Sequence, residues 1–477
     1  MKILFHVTLT TMLRHFEAVL LALADRGHLV RVAASDRRPD LTTPPALAGH
    51  ERISFVTAPV DRGDEWTRHI YKLRVLRDYL RYLEKPYRNA PKLRERALRK
   101  LVTGLTEEEK THAIGRCPHC EQRLVDDEVA PLMLPFGVGG RKNVSRLLAL
   151  MESTVPSGPA IDAFLQAEDP DVVLVTPLIN FGSAQADYVK SAKALGIPVG
   201  FPVFSWDNLT NKGLIHVVPD RVFVWNERQA FEATRMHRVP AEDVVVAGAP
   251  RFDDFFRMTP SVSREAFCAE HGFDPARPIL TYLCSSAFVA GDERGFVARW
   301  IEEVRQAPAL ARCNIVVRPH PRQKTVWKDF VPAGDRVAVT LPRSISTDQT
   351  LFDTIHHSAA LVGLNTSAQL EAGIVGRPVF TILAREFSAG QEGTIHFHYL
   401  LREHGGFVEV APDFEAHRQQ VSDAVTGGSD AERIRAFIQR FLRPRGIDQP
   451  VTPFLVEQIE ALAGRRARVA DLSPVSS

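Results

Sequence analysis

The chain has 477 residues, 45% of them hydrophobic and 24% charged, with a formal net charge of +2. At roughly 100–200 residues per domain this makes two to four domains with full cores, and the small net charge excludes a global field for nucleic acid. No apolar run approaches the roughly 18 residues of a membrane span; five sparse cysteines, Cys117, Cys120, Cys268, Cys284 and Cys313, make no disulfide framework, and a reducing, cytoplasmic setting is expected.

The opening Lys2-Ile3-Leu4-Phe5-His6-Val7 is too short for a signal-peptide core and runs into Thr8-Leu9-Thr10-Thr11 without a small-residue cleavage site. It reads as a buried strand over 2–7. A helix over 12–25 follows, with Phe16, Leu20, Leu21, Leu23 and Ala24 on one apolar face. Gly27 suits the left-handed position after a helix, and a second strand spans 29–34. Links this short imply parallel strands and a right-handed crossover.

Residues 61–100 have another texture. Thirteen Lys and Arg stand against six Asp and Glu, interleaved with Tyr71, Leu73, Val75, Leu76, Tyr79, Leu80, Tyr82 and Leu83. One or two long amphipathic helices are predicted. Their basic face is either solvated or a platform for an anionic acceptor or an anionic membrane surface, with Arg74, Arg77 and Arg81 as the contacting charges. Residues 102–140 show weak periodicity and read as an insertion. Within it Cys117-Pro118-His119-Cys120 has the spacing of a zinc knuckle, with His112 nearby, but no second close pair supplies four ligands. A polar turn is the simpler expectation.

Alternation resumes with strands over 171–175, 196–201, 221–225 and 244–246 and a helix over 183–195. The pattern repeats after a boundary near 255–263, with strands over 279–284, 314–318, 360–363 and 378–382 and helices between them. The prediction is an α/β protein of two Rossmann-like, doubly wound parallel-sheet domains facing a cleft. The N-terminal domain spans 1–255 with a basic helical insertion at 60–150. The C-terminal domain spans 256–445, a last helix 446–465 and a disordered tail 466–477.

Ligands in such sheets bind beyond the carboxyl ends of the strands. In the second half the polar residues fall there. Cys284-Ser285-Ser286 follows one strand, Arg318-Pro319-His320-Pro321 ends the next, and Gly363-Leu364-Asn365-Thr366-Ser367 ends a third and opens a helix carrying Glu371. Thr366 and Ser367 near a helix cap would present backbone N–H groups to a phosphate. Ser285 and Ser286 add hydroxyl donors, Arg318 and His320 add positive charge for a diphosphate, and Glu371 can accept hydrogen bonds from ribose hydroxyls. In the first half Asp207 and Asn208 sit in a polar loop with Lys212 and Gly213, which is either functional or an Asx-type turn. His396 and His398 lack a third ligand, and no Asp-x-Asp motif of the sort that holds a divalent ion under a diphosphate is present. Neither a metal nor a bound cofactor is expected.

Val316-Val317-Arg318-Pro319-His320-Pro321 and the run from Leu361 through Asn365-Thr366-Ser367 and Glu371 to Val379 resemble the donor-binding half of GT-B-fold glycosyltransferases. The closer likeness is to the bacterial surface-carbohydrate, capsule and CDP-glycerol glycerophosphotransferase-like group. Phe204-Ser205-Trp206-Asp207 through Gly213, and Gly248-Ala249-Pro250-Arg251-Phe252-Asp253, are similar to patterns of that group. The resemblance covers most of the chain outside 60–150. It implies that His320 and the Thr366/Ser367 turn bind donor phosphates and that Glu371 binds the ribose or the donor sugar. Leu13-Arg14-His15-Phe16 onward resembles the opening of these enzymes, where a His after the first strand can be the catalytic base. In many members that His lies about one helical turn earlier relative to Arg26-Gly27-His28, and His15 is the candidate here.

The implied activity transfers a sugar or polyol phosphate from a nucleotide-activated donor to a hydroxyl of a cell-envelope or surface glycan, or of a lipid-linked acceptor. It would act in the cytoplasm or at the inner membrane face, without a metal and without nucleic acid. A hydrolysing UDP-N-acetylglucosamine 2-epimerase is the rival on the same fold, similar at Glu371 and Gly248 to Asp253. It lacks support where such enzymes show a His-Gly-Asp-Thr run, because this chain reads Thr176-Pro177-Leu178-Ile179-Asn180. A non-enzymatic scaffold docking anionic lipid through 61–100 is the other rival.

Overall fold

The computed structural model describes residues 1–36, 43–103, 137–332, 334–342, 349–428 and 430–471. Cys117, Cys120, His112 and His119 lie outside them. The chain forms two compact units, one from Met1–Arg251 together with the stretch from Asp448, the other from Phe252–Ile447.

Unit 1 holds a parallel sheet of β1 (Lys2–Leu9), β2 (Leu29–Asp36), β3 (Ile53–Thr57), β4 (Val172–Thr176), β5 (Val199–Pro202), β6 (Arg221–Val224) and β7 (Val244–Val246), in the order β3-β2-β1-β4-β5-β6-β7. Ile3, Phe5 and Val7 enter the core on one face of β1 and Leu4 the core on the other. Both faces being covered, the strand is an apolar run without alternation. His6 shares this buried strand. Burial lowers its pKa to about 3, so the ring is neutral, accepting from Gln185 Nε2 at Nδ1 (2.8 Å) and meeting Ser35 Oγ at Nε2 (3.0 Å).

The expected helix over 12–25 is two pieces, a 3-10 turn Thr10–His15 and an α-helix Glu17–Asp25, parted at Phe16 with φ −128°. Phe16 packs its ring 5.3 Å from Phe5, and β-branched Thr10 and Thr11 favour an α-helical first turn poorly. Gly27 takes the left-handed conformation at φ +90°.

The basic segment does form helices, Trp66–Tyr82 and Pro91–Thr103, but the three arginines nominated for an exposed anionic contact are buried. Arg74, 1% exposed, donates to Asp187 at 2.7 and 2.8 Å and to Glu152 at 2.8 Å. Arg62 adds a second cation 3.2 Å from Asp187, and Arg77 lies 3.8 Å from Glu152. Arg81 donates to the carbonyls of Lys212 (3.0 Å), Gly213 (3.1 Å) and Leu209. The acids come from the helices Gly137–Thr154 and Gln185–Ala194. Pairing with these distant acids is what permits burial of the charge, and it corrects the expectation of a basic outer face on this helix. Among the described residues no helix is long and apolar enough to cross a membrane.

The last helix, Val451–Asp471, belongs to unit 1: Leu455, Val456, Ile459, Leu462 and Ala463 join the core beneath β1 and β4, an i, i+3, i+4 stripe. Glu460 accepts from Arg26 (2.8 Å) and lies 2.7 Å from His28. A disordered tail from 466 was expected, yet the helix continues to Asp471, and Arg466 pairs with Asp169 at 2.8 Å.

Unit 2 holds a second parallel sheet of β8 (Ile279–Leu283), β9 (Asn314–Arg318), β10 (Val337–Val339), β11 (Ala360–Val362), β12 (Val379–Ile382) and β13 (Glu409–Ala411), in the order β10-β9-β8-β11-β12-β13. Its core gathers Tyr282, Phe296, Trp300, Val317 and Phe380, with Trp300 Nε1 donating to His417 Nε2 at 2.9 Å. Asp253 and Arg443, both buried, meet at 2.9 Å and tie the beginning of the unit to its end.

Candidate nucleotide site

Strand order locates the crevices. In unit 2 the chain starts at β8, goes outward to β10, then returns to the other side of β8 as β11. The connections after β8 and β11 therefore leave in opposite directions and open a crevice at their carboxyl ends, the general ligand position of doubly wound sheets. In unit 1 the corresponding switch lies between β1 and β4.

The switch point of unit 2 is lined by the segments singled out from sequence. Gly363 ends β11 where a Cβ would stand 2.9 Å from the Leu283 carbonyl of β8 and 3.3 Å from Thr366 Cγ2; its missing side chain lets the two strand ends approach. Ser285 follows β8 and is fully buried, its side chain beside the Glu293 carboxyl. Its N–H donates to Glu293 Oε2 at 2.7 Å. Burial pushes the Glu293 carboxyl up to about 7, although the Ser285 N–H pulls it down. Ser286 is the next residue, and its carbonyl accepts from the N–H groups of Val289 and Ala290, both at 3.0 Å.

The turn after β11 is organised by a residue that no motif pointed to. Gln369 accepts the Thr366 N–H at Oε1 (3.3 Å) and donates to the Gly363 carbonyl (3.1 Å). Thr366 Oγ1 accepts the Ala368 N–H at 3.4 Å; Ser367 makes no side-chain cap. The helix that follows, Ala368–Ile374, has seven residues, so its dipole is short. Asn365 faces inward, donating to the Gly390 carbonyl (2.8 Å), and Glu371 is buried one turn into the helix. Gln391 knits the next strand end, donating to Leu364 O (3.2 Å) and Ile382 O (3.0 Å) and accepting from Ala384 N–H (3.0 Å). Neither glutamine has a sequence signature; each follows small residues, Ser367-Ala368 and Ala389-Gly390.

Arg318 and His320 end β9, beside β8. Arg318 donates to Thr350 Oγ1 at 2.8 Å and lies 3.5 Å from Thr354 Oγ1. His320 is half-buried and accepts the Arg322 N–H at Nδ1 (3.2 Å), leading the 3-10 turn Pro321–Gln323.

In unit 1 His15 closes the 3-10 turn after β1 and packs its ring 5.2 Å from that of Phe204, which follows β5. The Lys212 ammonium lies 5.9 Å from the same ring. Asp207 accepts from Ser205 Oγ (2.5 Å), Asn208 Nδ2 (3.3 Å) and Asn211 Nδ2 (2.6 Å), so its carboxylate shapes its own loop as an Asx-type turn does. Among the described residues no group of three or more His, Cys, Asp or Glu is arranged to hold a metal.

No family model matches the chain, and no curated protein does. Solved structures do. Similar to it is UDP-GlcNAc 2-epimerase from Neisseria meningitidis bound to UDP-GlcNAc, 13% identical, with a TM-score of 0.52 over 97% of this chain and 100% of that one. So is the S. aureus MnaA–UDP co-structure, at 12%, 0.51 and 96% of both chains. A glycosyltransferase from Rickettsia africae matches at 10% and 0.50 over 97% and 98%. The fold is GT-B-like. These identities carry the architecture of two Rossmann-like parallel-sheet units.

Proposed function

We propose that this GT-B-like protein is a nucleotide-sugar enzyme whose unit 2 holds the nucleoside diphosphate of the donor. The observation that supports the proposal is the switch point of unit 2, where Gly363 lets the ends of β8 and β11 approach beside the Thr366–Ser367 turn and Ser285 follows β8. Ser285, Ser286, the Thr366–Ser367 turn, Arg318 and His320 are the groups for the phosphates, and Glu371 serves the ribose or sugar.

The reaction proposed is transfer to a hydroxyl of a surface glycan or lipid-linked acceptor, as in the surface-carbohydrate glycosyltransferases, without a metal or bound cofactor. His15 would take the acceptor's proton. The acceptor oxygen bonds to the activated centre of the donor, and the bond from that centre to the nucleotide phosphate breaks. The phosphate leaves with the electron pair into the donors of unit 2. The setting is cytoplasmic, with the acceptor met at the inner membrane face.

A second reading, a UDP-GlcNAc 2-epimerase, is favoured by the epimerase structures among the neighbours. It uses the same nucleotide site and no acceptor. Thermal-shift screening with UDP, CMP, CDP, GDP and dTDP tests the site: a ligand at 100 times its Kd stabilises by about 2.7 kcal/mol, and no shift with any of the five refutes it. Product analysis with UDP-GlcNAc alone separates the readings, since only the epimerase turns over without an acceptor.

A further inference from the structure

The connection from β8 to the helix Arg294–Gln306 holds a buried acid that the proposed chemistry does not use. Glu293 is 1% exposed. Its Oε2 accepts the Ser285 N–H at 2.7 Å, its Oε1 is buried with no hydrogen-bond partner, and the fully buried Ser285 hydroxyl lies beside the carboxyl. The Ser285 side chain is close enough to favour the ionised carboxyl. Orphaned buried polar atoms are rare in folded proteins and call for a ligand, a proton or water. Here one stands at the carboxyl end of a switch-point strand.

We propose that Glu293 is a positioning residue for the diphosphate of a nucleotide sugar, taking up one proton when the anion binds beside Ser285. The inference rests on unit 2 being the nucleotide site. An ionised carboxylate holding the Ser285 N–H puts a negative charge next to the hydroxyl that would bind phosphate. A protonated one keeps an oxygen for the N–H and removes the repulsion.

The surroundings fit proton uptake. Asp292, the neighbouring acid, is drawn to Arg294 at 2.6 Å. Tyr282 and Cys284, on and just after β8, are held un-ionised by burial. From β9 comes Arg318, turned to Thr350, and from the turn after it neutral Gln323, which donates to Ala290 and Gly291 carbonyls, both at 3.2 Å. In the segment packed against Val289, Glu386 pairs with Arg299. Burial outweighs all of these and pushes the Glu293 carboxyl up to about 7, and a nearby anion raises it further, so that the carboxylate takes a proton from solvent at neutral pH.

The test is titration calorimetry of the whole chain with UDP-N-acetylglucosamine, dTDP-glucose and GDP-mannose from pH 6 to 8.5, a range in which their bridged diphosphates stay fully ionised. For the probe that binds, affinity falls above neutrality toward about tenfold per pH unit, the limit for one linked proton. Paired buffers of different ionisation enthalpy report the uptake directly. Glu293→Gln keeps an oxygen for the Ser285 N–H and has no charge. It binds at pH 8.5 as the wild type does at pH 6, with no linked proton. A wild type that binds with a flat profile, or a slope unchanged in Glu293→Gln, overturns the inference and leaves the nucleotide site standing. Binding lost at every pH in a folded Glu293→Gln also overturns it, since the role is then structural. No binding of any probe to the wild type overturns both.

Discussion

Replacing Arg74 by Met tests whether the basic helix is an interior element. The guanidinium is 1% exposed and makes hydrogen bonds to Asp187 (2.7 and 2.8 Å), Glu152 (2.8 Å) and the Ser183 carbonyl (2.8 Å). Met keeps much of the volume but strands two buried carboxylates. Removing one partner of a buried pair costs about 3–5 kcal/mol. Arg62 remains 3.2 Å from Asp187 and Arg77 3.8 Å from Glu152, which points to the lower end of that range. The assay is urea unfolding at pH 7, followed on the transition of unit 1 because two units need not unfold together. The pH dependence supplies a second readout. Burial would raise the Glu152 carboxyl, but Arg74 beside it outweighs burial and holds it below its ordinary range. A depressed acid contributes stability at pH above its unfolded value and loses it as pH falls through the folded one, so acid sensitivity below the ordinary carboxylate range is blunted in the variant. A loss under about 1 kcal/mol, the range of solvated surface pairs, refutes the buried network. Wild-type binding to anionic vesicles at low salt, abolished in a variant of unchanged stability, would restore a surface role for Arg74.

His320→Asn retains an acceptor for the Arg322 N–H and removes the imidazole; nucleotide affinity by calorimetry falls by roughly 1.5–3 kcal/mol, and an unchanged Kd removes His320 from the site. Gly363→Ala drives a methyl to 2.9 Å from the Leu283 carbonyl, so stability drops by about 1–3 kcal/mol and nucleotide binding weakens. Gly427→Ala, where nothing lies within 4 Å, is the control, and equal effects of the two would refute the close approach. His15→Ala lowers kcat by about 10²–10⁴ with nucleotide affinity retained; full activity excludes it as the base. Turnover survives EDTA. The chain's Asp169-Pro170-Asp171 stands at the amino end of β4, where Asp171 accepts the Lys2 N–H at 2.7 Å, away from the strand ends that line the crevices. Activity lost in EDTA and restored by magnesium would overturn the metal-free mechanism.

Local pattern was enough for the class of fold. Short, mostly apolar runs such as Ile3 to Val7 and Ile279 to Leu283, bounded by turn residues, read as strands covered on both faces, and polar residues just beyond them fall at the strand ends, the general ligand position of such sheets. The positions of Ser285, His320 and Thr366 just past strand ends were legible for that reason. Strands β3, β10 and β13 were not legible, and the last helix gave no sign that it packs on the first unit. Long-range pairing was illegible altogether. Arg74 looks like any exposed helix arginine until Glu152 and Asp187, 78 and 113 residues away, close on it. Gln369, Gln391 and Glu293 have no motif because their partners are backbone groups brought near by folding. Sequence by itself determined where strands and their polar ends fall, since that depends on neighbours along the chain; the tertiary structure alone decided which charges are buried, because desolvation is offset only by partners that the chain's path delivers.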